Sequence, residues 1–123
     1  LIGMGKAILG ARILVMGMTF KENVADIRNS KVVDIINELK DFGVEVDVVD
    51  PYADPEEVKK MYGFRLIEKP LGNYDAVVVA VAHDAYQGLD EKYFKSLTCD
   101  KAVLVDVKGM YRDKIHELKY WSL

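Results

Sequence analysis

Ala76-Val77-Val78-Val79-Ala80-Val81-Ala82 is the most hydrophobic run in the chain, and no polar residue interrupts it. A strand with one wet face alternates apolar and polar residues. A run that is apolar at every position predicts a strand covered on both faces, as in a parallel sheet between two layers of helices. Working outward, residues 12–16 (RILVM, closed by Gly17), 44–49 and 102–106 read as further strands, and residues 64–67 as a short edge strand. Between them, residues 30–42 carry Val32, Val33, Ile36, Leu39 and Phe42 at helical spacing, with Asn29 or Ser30 as cap and Gly43 as terminator. Asp54-Pro55-Glu56-Glu57 opens a second helix with a capping aspartate and a proline in its first turn, and Lys59, Lys60 and Gly63 close it. Residues 90–97 predict a short helix, and the tail 112–123 one more. Strands that alternate with helices predict an α/β fold of three layers, a doubly wound five-stranded parallel sheet in the order 3-2-1-4-5. Lys69-Pro70-Leu71-Gly72-Asn73 reads as a loop and not as a domain linker.

Composition narrows the function classes. The 123 residues are 50% hydrophobic and 30% charged, with a net charge of −3. A chain of this size buries roughly two-thirds of the surface its unfolded form exposes, so it needs neither disulfide nor metal to fold. The negative balance argues against nucleic acid as a partner, which requires clustered Lys and Arg. No apolar run approaches the roughly 18 residues of a membrane span. Cys99 is the single cysteine, which excludes an internal disulfide and suits a reducing, cytoplasmic setting. The chain starts without Met and meets its first strand almost at once. Residues 1–11 therefore read as the residue of a linker from a missing upstream region, and residues 12–123 as the domain.

In such sheets a ligand binds beyond the carboxyl ends of the strands, where the strand order reverses. Three segments converge there: the loop after Gly17, His83-Asp84, and Lys108-Gly109. A dinucleotide fingerprint would place three glycines in the first loop, and this loop has only Gly17. The fold expected is thus Rossmann-like without a GxGxxG. In place of glycines the loop offers Phe20, Lys21, Asp26 and Arg28. Lysine meets a phosphate as a point charge and arginine with a two-pronged fork, while Asp26 is suited to orienting either. The loop also ends at a helix N-terminus, which attracts anions. From spacing alone, a solvated charged loop with one buried aromatic accounts for the same residues.

The string Gly17-Met-Thr-Phe20-Lys21-Glu-Asn-Val-Ala-Asp26-Ile-Arg28-Asn-Ser30 resembles the GxxFKxxxxDxRxS signature of nucleotide-sugar dehydrogenases. That signature opens the C-terminal, UDP-sugar-binding domain of the UDP-glucose/GDP-mannose dehydrogenase family. Val48-Val49-Asp50-Pro51-Tyr52, the run from Asp75 to His83, and Val105-Asp106-Val-Lys108-Gly109-Met-Tyr111 follow in that domain's order and spacing. The His83 and Asp106-Val-Lys108-Gly109 variants look most like the branch that oxidises UDP-N-acetylhexosamines for surface polysaccharides.

The resemblance implies a division of labour. Phe20 and Lys21 contact the UDP-sugar, and Arg28 reaches an NAD held mainly by a missing N-terminal domain. Lys108 stands where many members place an arginine against the substrate, keeping the charge and losing the fork. The implied reaction is the NAD-dependent oxidation of a sugar C6 alcohol to a uronic acid. Its nucleophilic cysteine and glycine-rich fingerprint lie in N-terminal and central regions outside this chain. No catalytic residue and no metal ligand is therefore expected here, the domain alone is expected to be inactive, and the full-length protein is expected to dimerise through its central region. The alternative is a stand-alone nucleotide-binding or regulatory module without catalysis.

The remaining polar candidates have structural readings. Cys99 reads as structural or merely tolerated, Asp50 before Pro51 as a turn residue, His116 as solvated, and Tyr120 and Trp121 as packing residues or as surface covered by the missing regions. His83 lines the cleft and contacts either a ligand or a structural partner.

Overall fold

The computed structural model describes residues 11–19 and 31–122. Its elements are β1 (Arg12–Met16), α1 (Lys31–Asp41), β2 (Glu45–Val49), α2 (Pro55–Tyr62), β3 (Tyr74–Val79), a 3-10 turn (Asp84–Tyr86), α3 (Glu91–Leu97), β4 (Thr98–Asp106) and β5 (Lys119–Ser122). The five strands form one parallel sheet in the order β2-β1-β3-β4-β5. Val15 lies opposite Val48 on one side and Val78 on the other, so the apolar runs occupy the middle of the sheet.

The side-chain period of two divides each central strand between two cores. Ile13, Val15, Val48 and Ala76 face Val33 and Ile36 of α1 and Val58 of α2. Leu14, Met16, Val77, Val79 and Leu104 face Phe94 of α3, with Tyr74, Tyr86 and Tyr111 beside them. Helices therefore cover both faces, the three-layer arrangement that an unalternating run demands. Local signals set the helix ends. The Asp54 side chain accepts from the Glu56 amide at 2.9 Å, and Gly63 takes the left-handed conformation and donates to the Lys59 carbonyl. The Asp90 side chain caps α3 by accepting from the Tyr93 amide. The expected cap of α1 at Asn29 or Ser30 lies outside the described residues.

At the amino ends of the strands, Arg12 donates to the Gly72 carbonyl at 3.0 Å and lies over the Tyr74 ring. Tyr74 donates to Asp47 at 2.6 Å, and its burial together with that bond raises the phenol to about 12. Cys99 belongs to this end, at the start of β4, where its thiol meets Asp75 Oδ1 at 3.4 Å.

Two expectations change. Residues 64–67 do not form a full strand. They lie where the 3-2-1-4-5 order puts them, beside β2, but contribute one bridge, Leu66 to Val48, and one amide bond from Ile67 to the Val48 carbonyl. The tail is the larger correction. Instead of a helix over residues 112–123, it forms β5 at the far edge, with Leu104 opposite Tyr120 and Val105 opposite Trp121. Asp113 adopts a positive φ, which interrupts a helix, and one carboxylate oxygen of Glu91 accepts the amides of His116, Glu117 and Leu118. Those amides are committed outside the segment and cannot build a helical ladder. Tyr120 and Trp121, good strand formers, then pair with the open edge of β4.

Candidate functional site

The carboxyl ends of β1, β2, β3 and β4 lie side by side. Gly17 donates to the Val49 carbonyl, Ala80 to the Met16 carbonyl and Val107 to the Val79 carbonyl, at 2.8, 2.9 and 3.0 Å. These bonds carry the sheet one residue past its strands and bring the predicted loops together. Gly17 has a φ of 93°, and a Cβ there would lie 2.8 Å from the Val81 Cβ. Its missing side chain makes room for Val81 and not for a pyrophosphate. The described residues of this turn therefore do not fit NAD as a primary ligand, in agreement with the absent glycine fingerprint.

Asp50 holds the centre. Its side chain is fully buried, and a buried carboxylate is tolerated only where donors surround it. Oδ2 accepts from the amides of Met18 at 2.7 Å and Thr19 at 3.2 Å, and from His83 Nε2 at 3.0 Å. Oδ1 accepts from the amides of Tyr52 at 2.7 Å and Ala53 at 3.1 Å. A carboxylate only accepts, so Nε2 of His83 is the donor to it, and the same nitrogen lies 3.3 Å from the Thr19 hydroxyl. The imidazole is fully buried, with the Tyr52 ring at 4.6 Å and the Tyr86 ring at 5.5 Å. The turn role expected of Asp50 is present in its bonds to Tyr52 and Ala53. Its bonds to Met18, Thr19 and His83 were not legible, because they join residues more than thirty positions apart.

A second buried carboxylate shapes the loop after β4. Asp106 accepts from the amides of Met110 at 3.0 Å and Tyr111 at 2.7 Å, and from the Tyr120 hydroxyl. Burial, then the bond to Asp106, raises the Tyr120 phenol to about 12. Lys108 stands exposed at the tip of this turn. Gly109 follows at a φ of 71°, where a Cβ would meet the Arg112 guanidinium at 2.8 Å. Tyr111 donates to the Tyr86 carbonyl at 2.6 Å and so ties the loop back to the 3-10 turn.

A cavity of about 470 Å³ opens beside Asp50, with Val49, Pro51, Leu66, Pro70, Tyr86 and Tyr93 in its wall. A hollow of about 640 Å³ runs along α2 and is lined mainly by the charged side chains of Glu56, Glu57, Lys59, Lys60 and Arg65. The smaller one touches the strand ends and is the one relevant to a ligand there. Among the described residues no group of His, Cys, Asp and Glu is placed to hold a metal. No described helix is long and apolar enough to cross a membrane.

The structure thus brings Lys108 and His83 to the same end of the sheet, Lys108 exposed and His83 buried against Asp50. Phe20, Lys21, Asp26 and Arg28 lie outside the described residues. The segment that carries them starts directly after Thr19, whose amide Asp50 holds. Cys99 sits at the opposite end.

Comparisons with known proteins agree with this architecture. Residues 14–113 match the model of the UDP-glucose/GDP-mannose dehydrogenase family, UDP binding domain. The chain is 39% identical over 111 residues to the UDP-N-acetyl-D-glucosamine 6-dehydrogenase of Pseudomonas aeruginosa, covering 89% of this chain and 26% of that protein. It is 42% identical over 111 residues to Protein CapL of Staphylococcus aureus, with the same coverage. The solved structure of the NDP-N-acetyl-D-galactosaminuronic acid dehydrogenase from Methanosarcina mazei Go1 superposes with a TM-score of 0.83 at 23% identity, over 98% of this chain and 26% of that one. The chain spans about a quarter of the length of the curated relatives it matches. It belongs to the UDP-glucose/GDP-mannose dehydrogenase family and corresponds to that family's C-terminal, UDP-binding domain.

Proposed function

We propose that this chain holds the UDP moiety of a UDP-sugar for an NAD-dependent dehydrogenase that oxidises the C6 alcohol to a uronic acid. The observation that carries this reading is the match of residues 14–113 to a UDP-binding domain. The geometry supports it. The β1 exit, which leads to Phe20 and Lys21, and the β4 exit, which bears Lys108, open at the same end of one sheet. Lys108 there supplies positive charge for a diphosphate, and Lys21, in the segment that follows Thr19 in sequence, is assigned to the same group, without the glycine cradle of a dinucleotide site.

In this assignment Phe20, Lys21 and Lys108 contact the UDP-sugar, and Arg28 reaches NAD, which the preceding regions hold. Asp26 orients the cationic side chains. His83 acts from beneath the cleft, through Asp50 and Thr19. The chemistry lies in regions outside this chain, and this domain binds and orients the substrate. The sugar we assign is a UDP-N-acetylhexosamine, because the relatives at 39% and 38% identity are UDP-N-acetyl-D-glucosamine 6-dehydrogenases and a UDP-glucose 6-dehydrogenase stands at 31%. The uronic acid formed would serve surface polysaccharide synthesis.

A chimera tests the proposal. This chain replaces the C-terminal quarter of the Pseudomonas aeruginosa relative, and NADH formation is followed with UDP-N-acetylglucosamine and with UDP-glucose. Turnover that prefers the N-acetylated substrate is expected. A folded chimera that binds UDP but forms no NADH with either substrate would favour the non-catalytic module instead.

A further inference from the structure

We propose that Asp50 is the positioning residue of the nucleotide site, fixing the direction in which the chain leaves β1 towards Phe20 and Lys21, with His83 as the group that holds its carboxylate in place. The inference rests on the assignment of Phe20 and Lys21 to the nucleotide and adds the residue through which the fold controls them.

The sheet's own bonds run out just before this point. Among the described residues, Gly17 is the last at the β1 exit whose amide meets a neighbouring strand, through the Val49 carbonyl. The next two amides, Met18 and Thr19, turn instead to one oxygen of Asp50. Two consecutive amides on one acceptor constrain the backbone of both residues, and Phe20 and Lys21 follow immediately in sequence. The other oxygen binds Tyr52 and Ala53, so the carboxylate is fixed to the β2 exit as well. His83 adds the β3 exit. Three strand exits therefore share a single side chain, and His83 is packed between the rings of Tyr52 and Tyr86, which limits its movement. A binding side chain carried on a loop is held to productive geometry only if the base of that loop is fixed by packing and hydrogen bonds.

Asp50→Asn keeps the volume and removes one acceptor. Whichever way the amide turns, its NH2 group faces a pair of backbone N–H donors. The test uses the 123-residue chain and UDP as the probe, with 1H–15N spectra of the free and bound forms. Phe94→Leu, on the α3 face of the sheet, serves as a control for lost stability alone. In Asp50→Asn the Phe20 and Lys21 amide resonances should move and UDP should bind about tenfold more weakly, the scale of one lost charge-assisted bond. Phe94→Leu should leave the affinity unchanged. A folded Asp50→Asn chain with wild-type affinity and unmoved Phe20 and Lys21 resonances overturns the proposal.

If the wild-type chain fails to bind UDP while Asp50→Asn still moves those resonances, the nucleotide assignment falls and the positioning role stands. Should Asp50→Asn not fold, His83→Gln, which retains an N–H for Asp50, is compared with His83→Leu, which does not. Weaker binding in the leucine variant with recovery in the glutamine variant supports the proposal, and wild-type affinity in both overturns it.

Discussion

Asp50 and Asp106 lie at the carboxyl ends of β2 and β4, two strands apart in the same sheet, and both are buried carboxylates that gather donors, yet they do different things. Asp106 takes its amides from four and five residues ahead, and only the Tyr120 hydroxyl, fourteen residues on, comes from another element. It builds one turn and presents Lys108 on it. Asp50 takes donors from residues 32, 31 and 33 positions away as well as from its own turn. It joins three strand exits. The same functional group therefore makes a self-contained turn in one place and a junction in the other, and the difference lies in which loops the topology places beside it.

The largest expected effect separates the two. Asp50→Ala leaves five donors without their acceptor, and a loss on the order of 4 kcal/mol is expected from urea unfolding. Asp106→Ala leaves three, and should cost about 3 kcal/mol. Equal losses, or a larger loss at Asp106, would break the comparison. Tyr120→Phe removes the only distant partner of Asp106 and should cost about 1 kcal/mol in the same assay. Its effect should stay with the Lys108 turn and β5, leaving the Met18 and Thr19 amide resonances in place.

A pH effect is expected at the edge next to Asp106. The amides of Leu118, Glu117 and His116 hold the Glu91 carboxyl below its ordinary value of 4.5. A depressed folded value means that the contribution is complete above the unfolded value and is lost as pH falls through the folded one. The protection factor of the Leu118 amide, its exchange relative to an unstructured amide at the same pH, should therefore fall on acidification below that ordinary value. In Glu91→Gln the acid dependence should disappear. An acid response that persists in the variant would assign it to another group.

Much of the fold was legible because its signals are local. The unbroken apolar runs at residues 13–16 and 76–82 required cover on two faces, and Asp54, Pro55 and Gly63 each marked an end of α2 from within one turn of it. The tail, expected as a helix, departs because its amides are taken by a distant acceptor, Glu91, more than twenty residues earlier. Lys108 could be placed at a strand end from sequence alone. The wider role of Asp50 could not, since nothing near it in sequence marks Met18, Thr19 or His83 as its partners. An aspartate before a proline at a strand end does signal a turn, and the turn is there.

The central claim is that the β1 and β4 exits together hold a nucleotide diphosphate through Lys21 and Lys108. Calorimetric titration of the 123-residue chain with UDP and with NAD tests it most directly. The account predicts one UDP per chain, binding about tenfold weaker in Lys21→Ala and a few-fold weaker in Lys108→Ala, and little heat from NAD. Tight NAD binding with no UDP binding would contradict it.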